Sequence, residues 1–337
     1  MMKSSSLDIP MPPVTTTENG EIRKIGVELE MIGIDIETLS RIVADRVSGT
    51  VETLSRYEHI VHGDPSGDWK IELDFAYLKK KGRETGPSEK PRKDMDQLAE
   101  ELLRVGSEQI VPLEVVSPPI PLDRLVEVES LIERLREAGA KGTEDGLLYA
   151  FGMHLNPEVP ATDATTLTRY LKAFLCLFDW LKKRAHVNLT RRLTTYIDPF
   201  PIDYVRWVVD PAYRPEMRDL IDDYLKANPT RNRALDLLPL FALLDEPRVR
   251  QVIKDSRIQA RPTFHYRLPN CEIDREGWGV RLAWKDWLEV ERLAFEPDRL
   301  DELCRLYVRF LDKPLDRLFK NWAEQVENWL HSHPGDR

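Results

Sequence analysis

From Lys24 to Gly33 apolar Ile25, Val27, Leu29 and Met31 interleave with Gly26, Glu28 and Glu30, the period of a strand with one buried face. Leu39, Ile42, Val43 and Val47 then recur at helical spacing, which predicts a helix over Glu37 to Ser48. The turn Gly63-Asp64-Pro65-Ser66-Gly67 runs into a strand from about Asp68. Lys79 to Lys93 reads as a charged loop and Asp94 to Glu108 as a helix. Gln109 to Val116 reads as a strand closed by Ser117-Pro118-Pro119, Leu122 to Ala138 as an amphipathic helix, and Leu147 to Leu155 as a further strand. Helices are expected over Thr165 to His186, Pro215 to Ala227, Arg231 to Leu244 and Pro297 to His331, interrupted by an extended stretch at Thr263 to Asn270. This order implies an α+β fold and not a doubly wound sheet. The expected division is a mobile tail over residues 1–23, a catalytic domain over 24–300 and a C-terminal helix and tail over 301–337.

Composition narrows the class. The chain has 337 residues, 42% of them hydrophobic and 32% charged, with a net charge of -9. That balance argues against general affinity for nucleic acid or anionic membranes, since like charges repel within a Debye length of about 8 Å. Cys176, Cys271 and Cys304 are far apart and form no CxxC pair. No signal-peptide core and no run of about 18 apolar residues is visible, so a cytoplasmic protein is expected. Five of the eight tryptophans, Trp180, Trp207, Trp278, Trp284 and Trp287, read mostly as packing residues, and Lys182-Lys183-Arg184 as a charged helix end.

The chemistry begins with Glu28 and Glu30. Residues two apart on a strand share a face, and Val27, Leu29 and Met31 claim the core side, so both carboxylates look outward. Glu-x-Glu alone is most simply a solvated strand. However, Glu114 in PLEVVSPP, His154 and Asn156 in FGMHLNPE, and His265 and Arg267 in TFHYRLPN repeat the pattern, with Asp64, Ser66 and Asp68 on the turn. Hard divalent cations take oxygen ligands and let substrate phosphates complete their shell, while arginine matches phosphate oxygens with its planar fork. The parts suit ATP and Mg2+ better than a zinc site, which would call for more His or Cys.

In this order, Gly26-Val-Glu28-Leu-Glu30, Asp64-Pro-Ser66, Glu114-Val-Val-Ser-Pro-Pro119, Gly152-Met-His154-Leu-Asn156 and Tyr266-Arg267-Leu-Pro-Asn270 resemble the amidoligase family, which is related to glutamate–cysteine ligase and glutamine synthetase. The resemblance implies a glutamine-synthetase-like curved antiparallel sheet with helices packed behind it and Mg2+–ATP bound across the open face. It implies metal ligation by Glu28, Glu30 and Glu114, with His265 at a further metal position. His154 and Asn156 would lie beside the metal and phosphates, and Arg267 would grip the transferred phosphoryl group. Asp64 and Ser66 would lie on the acceptor or metal side; Arg261 and Arg257 are further phosphate candidates. The chain departs from its relatives twice: His-x-Asn at 154–156 stands where His-x-His is common, and His265 stands where many carry Glu. Imidazole suits magnesium poorly, so that metal position is weakened, moved to an acid such as Glu272, or lost.

The implied activity joins a carboxylate to an amine, such as an amino acid or peptide, by an ATP-derived acyl phosphate. The general base stays open between His154 and Asp68, and an oligomer is compatible with the sequence. Two alternatives stand beside it: a degenerate nucleotide- or ligand-binding protein, and a Mg2+-dependent phosphohydrolase or nucleotidyltransferase using the same acidic face.

Overall fold

The computed structural model describes residues 9–73, 112–143, 151–185, 198–313 and 321–333. The helix expected over Asp94 to Glu108, the charged loop at Lys79 to Lys93 and the starts of two expected strands lie outside these residues. Among them the chain is a mixed α and β protein with a nine-stranded sheet and nine helices.

Strand β1 (Lys24–Met31) is the hub. It pairs antiparallel with β5 (Leu113–Val116) on one side and β7 (Met153–Pro157) on the other, and its first residues pair with β6 (Ile120–Pro121). Beyond β5 come β4 (Trp69–Leu73), β3 (Glu58–His62) and the edge strand β2 (Thr50–Ser55). Beyond β7 come β9 (His265–Tyr266) and β8 (Leu235–Asp236). All of these ladders are antiparallel.

One face is apolar because the strands keep period two. Ile25, Val27, Leu29 and Met31 of β1 are buried, as are Trp69 and Ile71 of β4, Leu113 and Val115 of β5, and Tyr266 of β9. Helix α1 (Ile36–Val47) lays Leu39 and Val43 on this layer, α2 (Leu125–Glu137) packs against α1, and the long α3 (Ala164–Arg184) packs against α7 (Val280–Phe295). Tyr266 meets Trp287 of α7 at 5.2 Å and Phe174 of α3 at 5.9 Å between ring centres. Burying such aromatic faces supplies much of the hydrophobic free energy that ties sheet to helices. The polar residues are left on the opposite face.

Helix ends follow local chemistry. The Asp35 side chain caps α1 by accepting from Thr38 N at 2.6 Å, and Asp163 caps α3 by accepting from Thr166 N at 2.9 Å. Gly139, at φ 96°, ends α2 in the left-handed conformation that glycine adopts without a Cβ penalty.

Four expectations of secondary structure change. The hairpin β2–β3 went unpredicted: its two-residue turn, Arg56-Tyr57, carries none of the usual Gly or Asn turn signals. The helix expected from Arg231 begins instead at Leu238, with Pro239 in its first turn, and Leu235–Asp236 joins the sheet. Val280–Phe295, not foreseen as a helix, is the buried helix α7. Among the described residues the expected C-terminal helix is two, α8 (Pro297–Leu311) and α9 (Trp322–Ser332).

Residues 9–23, expected within a mobile tail, pack on the body. Pro10 O accepts from Trp284 Nε1 at 2.8 Å, and fully buried Arg23 pairs with Glu291 of α7 at 2.8 Å. Lys182, Lys183 and Arg184 pair with Asp179, Glu327 and Asp286, as a charged helix end would.

Candidate functional site

Strand register assembles the polar face. Glu58, Glu72, Glu114 and Glu30 stand opposite one another across β3, β4, β5 and β1, four glutamates in one row. Like charges directly opposite on a sheet repel, so the row needs cations. Lys70 supplies one at the β3–β4 end, its Nζ 2.5 Å from Glu72 and 3.4 Å from Glu58.

At the other end of the row the neighbours are imidazoles. Glu28 faces His154 on β7 in register, and Gly26 faces Asn156. His154 Nδ1 lies 2.9 Å from Glu28 Oε2, and Asn156 Nδ2 donates to Glu28 Oε1 at 2.9 Å. The His154 Nε2 edge turns toward Glu30 Oε1, 3.9 Å away, while Glu30 Oε2 accepts from Gly152 N at 2.7 Å. Burial works against the Glu28 charge, yet His265, His154 and Arg261 hold its carboxyl well below the usual carboxylate range.

The next strand adds His265, whose Nδ1 is 2.5 Å from Asn156 Oδ1. Arg261 Nη2 donates to the same Asn156 oxygen at 3.0 Å. The Asn156 amide nitrogen is committed to Glu28, so its oxygen faces His265, whose Nδ1 also lies 3.1 Å from Arg261 Nη2. Burial, then the neighbouring Arg267 charge, push the His265 imidazole well below its ordinary value, against the pull of Glu28. Its Nε2 is buried without a hydrogen-bond partner.

Two groups of ligand atoms result, each within 4.8 Å: Glu30, Glu114 and His154, and Glu28, His154 and His265. The first holds two carboxylates on neighbouring strands and fits magnesium, which wants oxygen and usually binds one or two carboxylates plus phosphate. The second offers one carboxylate against two imidazoles and fits magnesium poorly.

Beyond β9 the face turns basic. Arg267 Nη2 lies 3.9 Å from Asp236 Oδ2, and Arg231 and Arg261 also act on that carboxylate. Burial raises the Asp236 pKa to about 6, against the pull of these arginines. Burial, then Arg267, lower the pKa of Arg231, whose Nη1 reaches Asp255 only at 3.9 Å. Such a knot of guanidinium groups at one end of an acidic row suits a polyphosphate. Arg231 and Asp236 went unforeseen because their segment reads as a helix; the dipeptide Leu235-Asp236 ahead of Leu-Leu-Pro was the one hint of a strand end.

The structure thus brings together Glu28, Glu30, Glu114, His154, Asn156, His265, Arg261 and Arg267. Asp64 is placed elsewhere: its carboxylate accepts from Arg124 at 3.0 and 3.1 Å, Trp69 Nε1 at 3.2 Å and Ser66 N at 2.8 Å. Asp68 and Glu52 flank His62, each at 2.8 Å, near the sheet edge. Arg257 is bound up with its neighbour Asp255. Glu272 pairs with Arg275 at 2.7 Å beside Met153, Tyr266 and Trp278, on the helix side of the sheet. Ser117 of the Ser-Pro-Pro motif is structural, its hydroxyl accepting from Val27 N at 2.8 Å.

Fold and site together define an antiparallel-sheet protein with a carboxylate and imidazole centre beside an arginine cluster. The chain belongs to the family described as "Putative amidoligase enzyme", whose model matches residues 21–289, and this gives it a ligase role in outline. No curated protein and no solved structure matched it. No helix among the described residues is long and apolar enough to cross a membrane.

Proposed function

We propose that the chain is an ATP-dependent amide ligase that activates a carboxylate as an acyl phosphate and transfers the acyl group to an amine. The observation that carries this reading is the polar sheet face itself, where Glu30 and Glu114 stand in register a few strands from Arg231, Arg261 and Arg267. The catalytic unit is residues 24–300, on a glutamine-synthetase-like fold, in the cytoplasm.

A carboxylate is a poor electrophile, and phosphorylation makes it a good one. Its oxygen forms a bond to the γ-phosphorus as the bond to the ADP oxygen breaks. The amine nitrogen then attacks the acyl carbon, inorganic phosphate leaves, and the nitrogen gives up a proton. Glu30 and Glu114, with His154 alongside, would hold magnesium, which would supply positive charge to the polyphosphate. Arg267, Arg261 and Arg231 bind and orient the phosphoryl oxygens, which matters because phosphoryl transfer depends on positioning and charge stabilisation. Asn156 links this cluster to the acids: it holds Glu28 through Nδ2 and accepts from Arg261 through Oδ1.

The test is calorimetric titration of ATP into the chain with and without magnesium, for wild type, Glu30→Gln and Glu28→Ala/Glu30→Ala. Magnesium-dependent binding that the variants lose supports the ligase and warrants screening amines for ADP release. Folded wild type that binds no nucleotide overturns it and leaves a degenerate ligand-binding protein. ATP turnover independent of any amine favours the phosphohydrolase alternative.

A further inference from the structure

Three guanidinium groups, of Arg231, Arg261 and Arg267, gather around one carboxylate, Asp236, while the nearby Asp255 is already engaged by Arg257 at 2.6 Å. Asp236 is wholly buried on β8, and its Oδ1 accepts from Leu238 N at 2.9 Å, so the backbone fixes it in place. Its Oδ2 has no hydrogen-bond partner, although a buried carboxylate oxygen normally has one, and Arg267 Nη2 stands 3.9 Å away. The buried pair Arg23–Glu291 shows a committed ion pair in the same chain. There both carboxylate oxygens accept from the guanidinium, at 2.8 and 3.0 Å, and Tyr170 and Trp287 donate as well. Arg267 is thus drawn to Asp236 but not closed upon it. Burial, then Arg267, lower the Arg231 pKa, so these two guanidinium groups repel each other. Arg261 is steered by neutral partners, donating to Thr263 Oγ1 at 3.2 Å and to Asn156 Oδ1 at 3.0 Å. The side chains of Arg231 and Arg267 keep 23% and 14% of their surface exposed and that of Asp236 keeps 1%, so an incoming anion meets the cations and not the carboxylate.

We infer that Asp236 is the internal counter-ion of these arginines, holding Arg267 and Arg231 together in the ligand-free protein and releasing them to the phosphoryl oxygens of a polyphosphate. This role rests on the polyphosphate reading of the arginines and sets how tightly they bind. Like charges gathered away from water need an opposite charge, and an aspartate anchored behind them supplies it. Because the Asp236–Arg267 contact is left open at 3.9 Å, Arg267 loses little when it turns to a ligand. Asp236 is a positioning residue: it acts through the arginines and is walled off from the ligand by them. Its negative charge also opposes the bound polyphosphate, which holds affinity below what three guanidinium groups alone would give. Removing that charge should therefore loosen the empty protein and tighten its grip on the anion.

The test uses inorganic tripolyphosphate in chelator, without magnesium, nucleotide or amine, so it stands apart from the ligase chemistry. Titrations at about pH 8 keep Asp236 ionised, since burial raises its pKa to about 6. Calorimetry on the full chain compares wild type, Asp236→Asn, Arg267→Gln and the double variant; asparagine keeps an oxygen for Leu238 N. Wild type should bind tripolyphosphate, and Arg267→Gln should weaken that binding at least about tenfold. Asp236→Asn should bind roughly tenfold more tightly than wild type, yet melt several degrees lower without anion. The double variant, which loses one charge of each sign, should regain most of that melting temperature. A merely structural carboxylate would lower Tm with no gain in affinity. Equal or weaker binding by folded Asp236→Asn overturns the inference, as does wild type that binds no tripolyphosphate or whose binding Arg267→Gln leaves unchanged. If Asp236→Asn folds only with anion present, recovery of native circular dichroism on adding tripolyphosphate supports the inference, and no recovery overturns it. Tripolyphosphate binding in the expected order without Mg2+–ATP binding sinks the ligase and keeps the counter-ion; Mg2+–ATP binding with that order reversed does the opposite.

Discussion

Glu30→Gln should stabilise the ion-free protein while abolishing its stabilisation by magnesium. Ligand oxygens of Glu30 and Glu114 lie within 4.8 Å, on neighbouring strands in register. At about that separation, two unit charges repel by roughly 1–3 kcal/mol for effective dielectrics between about 80 and 20. Glutamine keeps an oxygen to accept from Gly152 N, which now donates to Glu30 at 2.7 Å, so the substitution removes charge without orphaning that amide. The hydrogen bond and partial exposure trim the net gain to about 1 kcal/mol. For a chain of this length, 1 kcal/mol moves Tm by about 1–2 °C. Magnesium at ten times its Kd adds about 1.4 kcal/mol to wild type by mass action. Scanning calorimetry in chelator and in excess magnesium should therefore show lines that cross: the variant melts higher without ion, and wild type gains on adding it. Equal magnesium shifts in both proteins, or a variant that melts well below wild type in chelator, would refute the argument that this row is held apart for a cation.

Other outcomes follow from the same contacts. Glu291→Ala should cost about 3–5 kcal/mol, read by urea denaturation, because it leaves fully buried Arg23 without its carboxylate and strips the acceptor from Tyr170 and Trp287. Burial raises the Asp64 pKa, but Arg124, Ser66 N and Trp69 outweigh it and hold the group below its ordinary 3.8. Its stabilisation is therefore complete above about pH 4 and lost as pH falls through the folded-state value; Asp64→Asn should flatten that acid limb in pH-dependent melts. Gly142→Ala would place a Cβ 2.1 Å from Cys271 O, a backbone atom, and should lower Tm by several degrees, whereas Gly20→Ala meets nothing within 4 Å and should cost only its backbone strain at φ 80°. Arg231→Gln should weaken nucleotide binding at least about tenfold by calorimetry with little loss of stability, since its closest acid is 3.9 Å away.

Alternation in Lys24–Met31 was enough to put Glu28 and Glu30 on one face and Ile25, Val27, Leu29 and Met31 on the other, because a strand's period is a local property. The same local rule placed Glu114 and the pair His154 and Asn156, and it identified the segments that carry the family likeness. Register is not local. That Glu30 meets Glu114, that Glu28 meets His154, and that the row continues to Glu72 and Glu58 depends on which strands pair, and the strand carrying Glu58 had no turn signal to announce it. Arg231 and Asp236 were hidden for a related reason: their leucine-rich surroundings match a helix until the fold draws Leu235–Asp236 to the sheet edge beside Tyr266. Asp64 shows the reverse case. Its motif is legible, but only the packed structure brings Arg124 from the start of α2 to take both its oxygens. The sequence by itself determined which side chains of β1, β5 and β7 could do chemistry and which way those strands turned them. Tertiary structure alone decided which of them meet, because side-chain direction follows from a few neighbouring dihedrals whereas meeting requires chain segments more than a hundred residues apart to share a register.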